Sequence, residues 1–245
     1  MNDKVAPQLK PRSDLGIRTL SSVAMMSVAI MAIWLGGYAF MGLVITIGLG
    51  VLFEFAKLVL GFVHSLQAQI LWLLGGAIYV GLACFSLILF SAPLFDMTPA
   101  IMLIAGVIGT DIGAYFAGRS IGGPKIAPRI SPSKTWSGLF GGMIGAGLMM
   151  VIIQAGIYAF RDGEAGDGDV YLAYGWFGLM LTGTALAVVA QMGDFFESWM
   201  KRRAGVKDSG RLIPGHGGLF DRTDGLIAVA FAAGIVTLFQ TVAAS

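Results

Sequence analysis

The chain has 245 residues, of which 56% are hydrophobic and 12% charged, with a formal net charge of +2 and a mean hydropathy of +0.81. Soluble domains carry about twice that share of charge, which excludes an ordinary water-soluble fold. The lone cysteine, Cys84, excludes an intrachain disulfide framework, and no polar block is long enough to build a separate soluble core.

A hydrocarbon layer of about 30 Å takes roughly 20 apolar residues in a helix. In chain order, a polar N-terminal segment (1–18) precedes predicted spans at 19–35, 39–60, 67–90, 98–118, 137–160, 174–196 and 225–243. The expected architecture is an all-α, polytopic membrane bundle of about seven transmembrane helices, forming a single domain over 19–245. The first apolar run is too long for a signal-peptide core and no small-residue cleavage site follows, so it reads as a retained anchor. The second ends near FEFAK, Phe53 to Lys57, where Glu54 serves chemistry, packing or topology. The third is long enough to tilt or to hide a re-entrant turn, and its Cys84 reads as packing.

The fourth span carries Asp111 well inside an apolar run. A charge there is costly, so Asp111 is either functional or a helix-to-helix hydrogen-bonding group. Arg119, Lys125, Arg129 and Lys134 follow in a basic loop. In the fifth span, Gly141 and Gly145 of GGMIGAG allow two helices to approach closely. The next connection, Arg161 to Asp169, is acidic. At the end of the sixth span, Asp194, Ser198 and Lys201 fall at i, i+4 and i+7 and share one helical face, with Glu197 beside it.

Ser198 to Asp224 then packs six cations, three acids, a histidine and five glycines into 27 residues. Gly215, Gly217 and Gly218, beside Pro214 and His216, let the backbone approach a phosphate or make a turn. Asp221 and Asp224, three apart at the head of the last apolar run, project from one helical turn. Carboxylates held that close repel unless a cation lies between them. Hard oxygen ligands beside phosphate favour Mg²⁺, which takes a few carboxylates and fills its shell with water and substrate oxygens. Arg222 balances the aspartates or touches phosphate.

Charge placement orients the bundle. With the N-terminus in the cytoplasm, every lysine and arginine except Arg161 falls on the inner side, as the positive-inside rule requires. Two basic loops then share one membrane face, suited to anionic headgroups and a triphosphate. No internal repeat suggests a transporter built from two related halves.

The stretch SWMKRRAGVKDSGRLIPGHGGLFDRTD resembles the signature of phosphatidate cytidylyltransferases (CDP-diacylglycerol synthases). It matches at Ser198, Lys201, Arg202, Lys207, Asp208, Pro214, His216, Gly217, Gly218, Asp221, Arg222 and Asp224. A second element, D-x-G-A-Y-x-x-G-R, is met by Asp111, Gly113, Ala114, Tyr115, Gly118 and Arg119. The family's S-P-K-K-T-x-E-G follows as Ser131, Pro132, Ser133, Lys134, Thr135, Trp136, Ser137 and Gly138, with Ser133 in place of a usual lysine and Ser137 in place of a usual glutamate. FEFAK is similar to the family's early acidic span end.

The resemblance implies that CTP and phosphatidate give CDP-diacylglycerol and pyrophosphate at the cytoplasmic face of a bacterial inner membrane. It implies a catalytic set of Asp194, Lys201, Arg202, Lys207, Asp208, His216, Asp221, Arg222 and Asp224. Substrate contacts fall to Asp111, Tyr115, Arg119, Ser131, Lys134, Thr135, Ser198, Gly217 and Gly218. Asp194 and Asp221 are the principal Mg²⁺ ligands, helped by Asp224 and Asp111; a second cation, monovalent or divalent, and a homodimer both stay open. Membrane lipids are expected partners and nucleic acid is not. Related readings are CDP-archaeol synthesis, a CTP-dependent polyprenol or phytol kinase and, in another class, an anion transporter. The D-G-x-x-A-R pattern of CDP-alcohol phosphotransferases is absent.

Overall fold

The computed structural model describes residues 14–92, 97–160 and 175–244. Among them run seven helices: α1 (Asp14–Leu35), α2 (Gly37–Phe62), α3 (Leu66–Phe90), α4 (Thr98–Ser120), α5 (Trp136–Phe160), α6 (Gly175–Arg203) and α7 (Phe220–Ala244). Each is long and apolar enough to cross a bilayer, and the protein is an all-α integral membrane bundle. The third helix is continuous, with no re-entrant turn. The acidic connection Arg161–Asp169 and the basic residues Lys4, Lys10 and Arg12 lie outside the described residues.

Three helix ends differ from the apolar limits. α1 begins at Asp14 instead of 19, α6 runs on to Arg203 instead of 196, and α7 begins at Phe220 instead of 225. Apolarity marks where hydrocarbon ends, whereas a helix continues while its hydrogen bonds and caps allow. Ser198 and Lys201 are consequently helical, and Asp221 and Asp224 occupy the start of α7. The most apolar window of α6 also has the lowest mean hydropathy of the seven, 1.4, consistent with a span that carries a polar site at one end.

Close backbone contacts set the helix pairs. Gly109 and Gly113 of α4 meet Gly141 and Gly145 of α5 so closely that a methyl group at Gly109 would fall 2.7 Å from Met149 Cβ. In lipid, this replaces the hydrophobic drive with van der Waals contact between backbones. A methyl group at Gly193 of α6 would likewise fall 2.6 Å from the Asp224 carbonyl oxygen of α7. Ser86 of α3 donates to the Ala230 carbonyl of α7 (2.6 Å), satisfying a hydroxyl in the apolar interior. Val51, Phe55 and Val59 of α2 pack with Phe220 and Val229 of α7 in the main core.

Thr135 caps α5: its hydroxyl accepts from the Gly138 amide (3.1 Å), one of the donors a helix start leaves unpaired. The Lys134–Asp194 ion pair and the Arg202–Ile130 hydrogen bond bring the α4–α5 loop to the C-terminal end of α6. Ser21 of α1 meets Pro214 at the same end. Both basic loops and the start of α1 therefore gather at one end of the bundle.

Candidate active site

Asp111 of α4, Lys134 of the α4–α5 loop, Gln191 and Asp194 of α6, and Arg222 and Asp224 of α7 line one cavity of about 30 Å³. The close α4–α5 contact positions Asp111, and the Gly193 contact brings α6 and α7 together, so three helices deliver three carboxylates to one place. Lys134 forms an ion pair with Asp194. Ser198, one turn along α6, donates to the same carboxylate (3.2 Å). Asp224 accepts from the Gly225 amide (2.8 Å). Gln191 is 5% exposed, and its Oε1 has no hydrogen-bond partner.

A larger cavity of about 680 Å³ lies on the opposite face of α6, among Trp72, Tyr79, Phe196 and Phe231. Its walls are apolar and it carries no group for phosphate chemistry, so size alone would have pointed away from the chemistry.

Asp221 stands outside the small cavity, in a denser knot. Lys201 bridges Glu197 (2.5 Å) and Asp221 Oδ1 (2.7 Å). Asp221 Oδ2 accepts from the Ser209 amide (2.8 Å), the Ser209 hydroxyl (2.9 Å) and the Gly218 amide (2.8 Å). Lys201 and Asp194 share a helix face in sequence, yet each pairs with a partner from another element. Glu197 is fully buried, and its carboxylate has Lys201 as ion-pair partner although neither oxygen makes a well-aligned hydrogen bond.

The remaining predicted residues divide by what holds them. Each ring nitrogen of His216 lies 2.9 Å from a serine hydroxyl of α1, Nδ1 from Ser21 and Nε2 from Ser22. Arg222 donates to the His216 carbonyl (3.2 Å). Gly217 adopts φ +87°, a backbone region open to glycine, beside Asp208 and Asp221. Lys207 and Asp208 are exposed on the loop. Arg202 donates to the Ile130 carbonyl (3.3 Å), tying the two loops together. Arg119 donates to the Tyr115 hydroxyl (3.1 Å), and both are exposed. Ser131 is buried. Thr135 is buried and occupied by its cap, and its hydroxyl also lies 3.0 Å from that of Ser137. Ser137 in turn donates to the Gly122 carbonyl, giving this position a loop-closing role.

From the sequence, Glu197 stands only beside the active face, and Gln191 and Ser209 carry no assigned role. The Glu197–Lys201 i, i+4 spacing carried a readable signal. For Gln191, the signal is its i, i+3 spacing from Asp194 at the end of the apolar part of α6.

Carboxylate oxygens and an unpaired amide oxygen make a donor set suited to a hard divalent cation, and Lys134 is the cation paired with Asp194 there. Among the described residues, no three acidic, histidine or cysteine side chains gather closely enough to hold a metal by themselves.

Residues 60–240 match the family model described as the cytidylyltransferase family. The chain is 34% identical over 263 aligned positions to a protein of Brucella suis biovar 1 (strain 1330) named phosphatidate cytidylyltransferase, covering 89% of this chain and 91% of the relative. A protein of the same name from Rickettsia bellii (strain RML369-C) is 34% identical over 222 positions, covering 90% of each chain. One from Rickettsia prowazekii (strain Madrid E) is 31% identical over 221 positions, with 90% and 91% covered.

Proposed function

This chain belongs to the cytidylyltransferase family, and on that premise we propose that it is a phosphatidate cytidylyltransferase, converting CTP and phosphatidate to CDP-diacylglycerol and pyrophosphate. The observation that carries the reading is the meeting of Asp111, Asp194 and Asp224 with Lys134 in one cavity, at the bundle end where both basic loops gather.

A phosphate monoester is largely dianionic near neutral pH, its second pKa being about 6. The lipid oxygen is already a nucleophile and needs no general base. His216, with both ring nitrogens against serine hydroxyls, is given no proton-transfer role. The lipid phosphate oxygen attacks the α-phosphorus of CTP. The bond from that phosphorus to the α,β-bridging oxygen breaks, and pyrophosphate leaves with the electron pair. The obstacle is repulsion between a dianion and a triphosphate, so positioning and charge do the catalysis.

Asp111, Asp194 and Asp224 would hold Mg²⁺, while Asp221 keeps its place in the loop. Bound Mg²⁺ supplies charge neutralisation at the α-phosphate and the departing pyrophosphate. Lys134 and Lys201 are parked on Asp194 and Asp221. When phosphates arrive, each lysine can turn to them and release its aspartate. Arg222 at the cavity and Arg202 on the loop add charge for the triphosphate. A cavity of about 30 Å³ is too small for a nucleotide, so base and ribose lie outside it, against the basic loops. Arg119 would face the lipid phosphate. We assign this end to the cytoplasm of a bacterial inner membrane, since it holds nearly all the cations.

Purified protein in detergent, given labelled CTP and phosphatidate, should yield CDP-diacylglycerol and pyrophosphate in equal amounts. Release of CDP with a phosphorylated lipid would instead mark a kinase, and absence of any labelled lipid would sink the enzymatic reading.

A further inference from the structure

We infer that Glu54 of α2 is a positioning residue for this reaction, holding the loop between α6 and α7 so that Asp221 and Lys201 face the substrates; the inference rests on the cytidylyltransferase reading above. α2 lies outside both polar signature blocks, yet it sends a carboxylate under the loop. Glu54 is 1% exposed, and an acid buried at that depth is costly without dedicated partners. Its partners are specific. Glu54 Oε2 accepts from the Phe220 amide (2.9 Å) and shares the single proton of the Ser209 hydroxyl (3.0 Å) with Asp221, while Oε1 has no hydrogen-bond partner. Phe220 opens α7, so this amide is a donor that the helix itself leaves unpaired.

The Ser209 hydroxyl also lies 2.9 Å from Asp221 Oδ2. One hydroxyl thus stands between Glu54 and Asp221, and Asp221 is the carboxylate that takes Lys201. The loop backbone rests directly on the same acid. A methyl group at Gly210 would fall 2.6 Å from the Glu54 carboxyl carbon, and one at Gly218 would fall 2.7 Å from it. The Gly218 amide already donates to Asp221. Glycine at both places is therefore explained by the approach of the loop to Glu54. One chain of contacts thus runs from α2 to the reaction centre: Glu54, Ser209, Asp221, Lys201.

Glu54→Leu, Glu54→Gln, Ser209→Ala and Glu54→Leu/Ser209→Ala are purified beside wild type. kcat, KM for CTP, thermal midpoint and trypsin cleavage at Lys207 and Arg211 are measured for each. Glu54→Leu should lower kcat about 30-fold while KM for CTP changes less than about threefold. Glu54→Gln, which keeps an acceptor oxygen, should stay within about threefold of wild type. Ser209→Ala should lose about tenfold, and the double variant should fall little below Glu54→Leu, since both break one chain of contacts. A structural role alone would move the thermal midpoint and leave the single-variant losses to multiply. Full kcat in folded Glu54→Leu, or multiplying losses, overturns the proposal. Where Glu54→Leu does not fold, Ser209→Ala decides, and wild-type kcat there overturns it. An inactive wild type sinks the function reading instead. Trypsin then reads the anchor separately: faster cleavage in the Glu54 variant supports it and equal rates overturn it.

Discussion

Asp221 and Asp224 sit three residues apart at the start of one helix, yet their surroundings differ sharply. Asp221 is held by Lys201, by both the amide and hydroxyl of Ser209, and by the Gly218 amide. Asp224 opens on a small cavity shared with Asp111 and Asp194, where Lys134 is the cation paired with Asp194. The contrast is between a carboxylate held in a loop and carboxylates that face a cavity. A group held by several fixed donors is expensive to redirect, whereas an ion pair with one lysine is easily exchanged for a metal or a phosphate.

The sharpest test of this division is Asp194→Asn. We expect about a hundredfold loss of kcat, roughly 3 kcal/mol of transition-state stabilisation, with the Mg²⁺ activation midpoint moved to higher concentration. Near-normal turnover at limiting Mg²⁺ in a folded variant would take Asp194 out of the metal site. Asp221→Asn should cost about 50-fold, of which raised Mg²⁺ restores only a minor part, because the loop loses its anchor as well. Complete rescue by Mg²⁺ would erase the difference between the two regions and make Asp221 a ligand like the others.

His216 probes the loop from the α1 side. His216→Ala and the Ser21→Ala/Ser22→Ala variant should each lower kcat about fivefold, and combining them should add little. Loss in the histidine variant alone, with the serine variant fully active, would restore a direct role in the chemistry.

The α4–α5 loop carries a salt-dependent effect and, at Ser133, the smallest one. Lys134→Ala should lose about tenfold at low salt and less at high salt, since partly exposed charges are screened beyond about 8–10 Å. Ser133→Ala should match wild type within about twofold and Ser133→Lys should be tolerated, because this side chain is exposed. If Ser133→Ala were inactive while Lys134→Ala matched wild type, the loop's phosphate role would be wrong.

Much of this was legible in linear order. Seven apolar runs became seven helices, and the one suspected interruption, in α3, is absent. The glycines of GGMIGAG do meet another helix closely. Asp111, Asp194 and Asp224 do share a cavity. Three readings were incomplete. Asp221 was grouped with Asp224 because i, i+3 spacing places them on one turn, but spacing is silent about which donors reach each oxygen. The resemblance makes Thr135 a substrate contact, and the structure adds that its hydroxyl caps α5. For Glu54, the sequence does not choose among chemistry, packing and topology.

The sequence by itself determined the solvent, the helices and the chemical vocabulary. Hydrocarbon forces each spanning backbone to satisfy its own hydrogen bonds, so apolar length alone yields helices, and the polar signature stands out because charge is rare elsewhere. Only the tertiary structure decided the pairings: Lys134 with Asp194, Lys201 with Asp221, Ser209 with Glu54 across 155 residues of sequence, and His216 with Ser21 across 195. The physical reason is range. Helix formation and span length are local properties of a segment, whereas the partner of a charge is set by how closely glycine-lined helices cross, and that distance is a property of the assembled bundle.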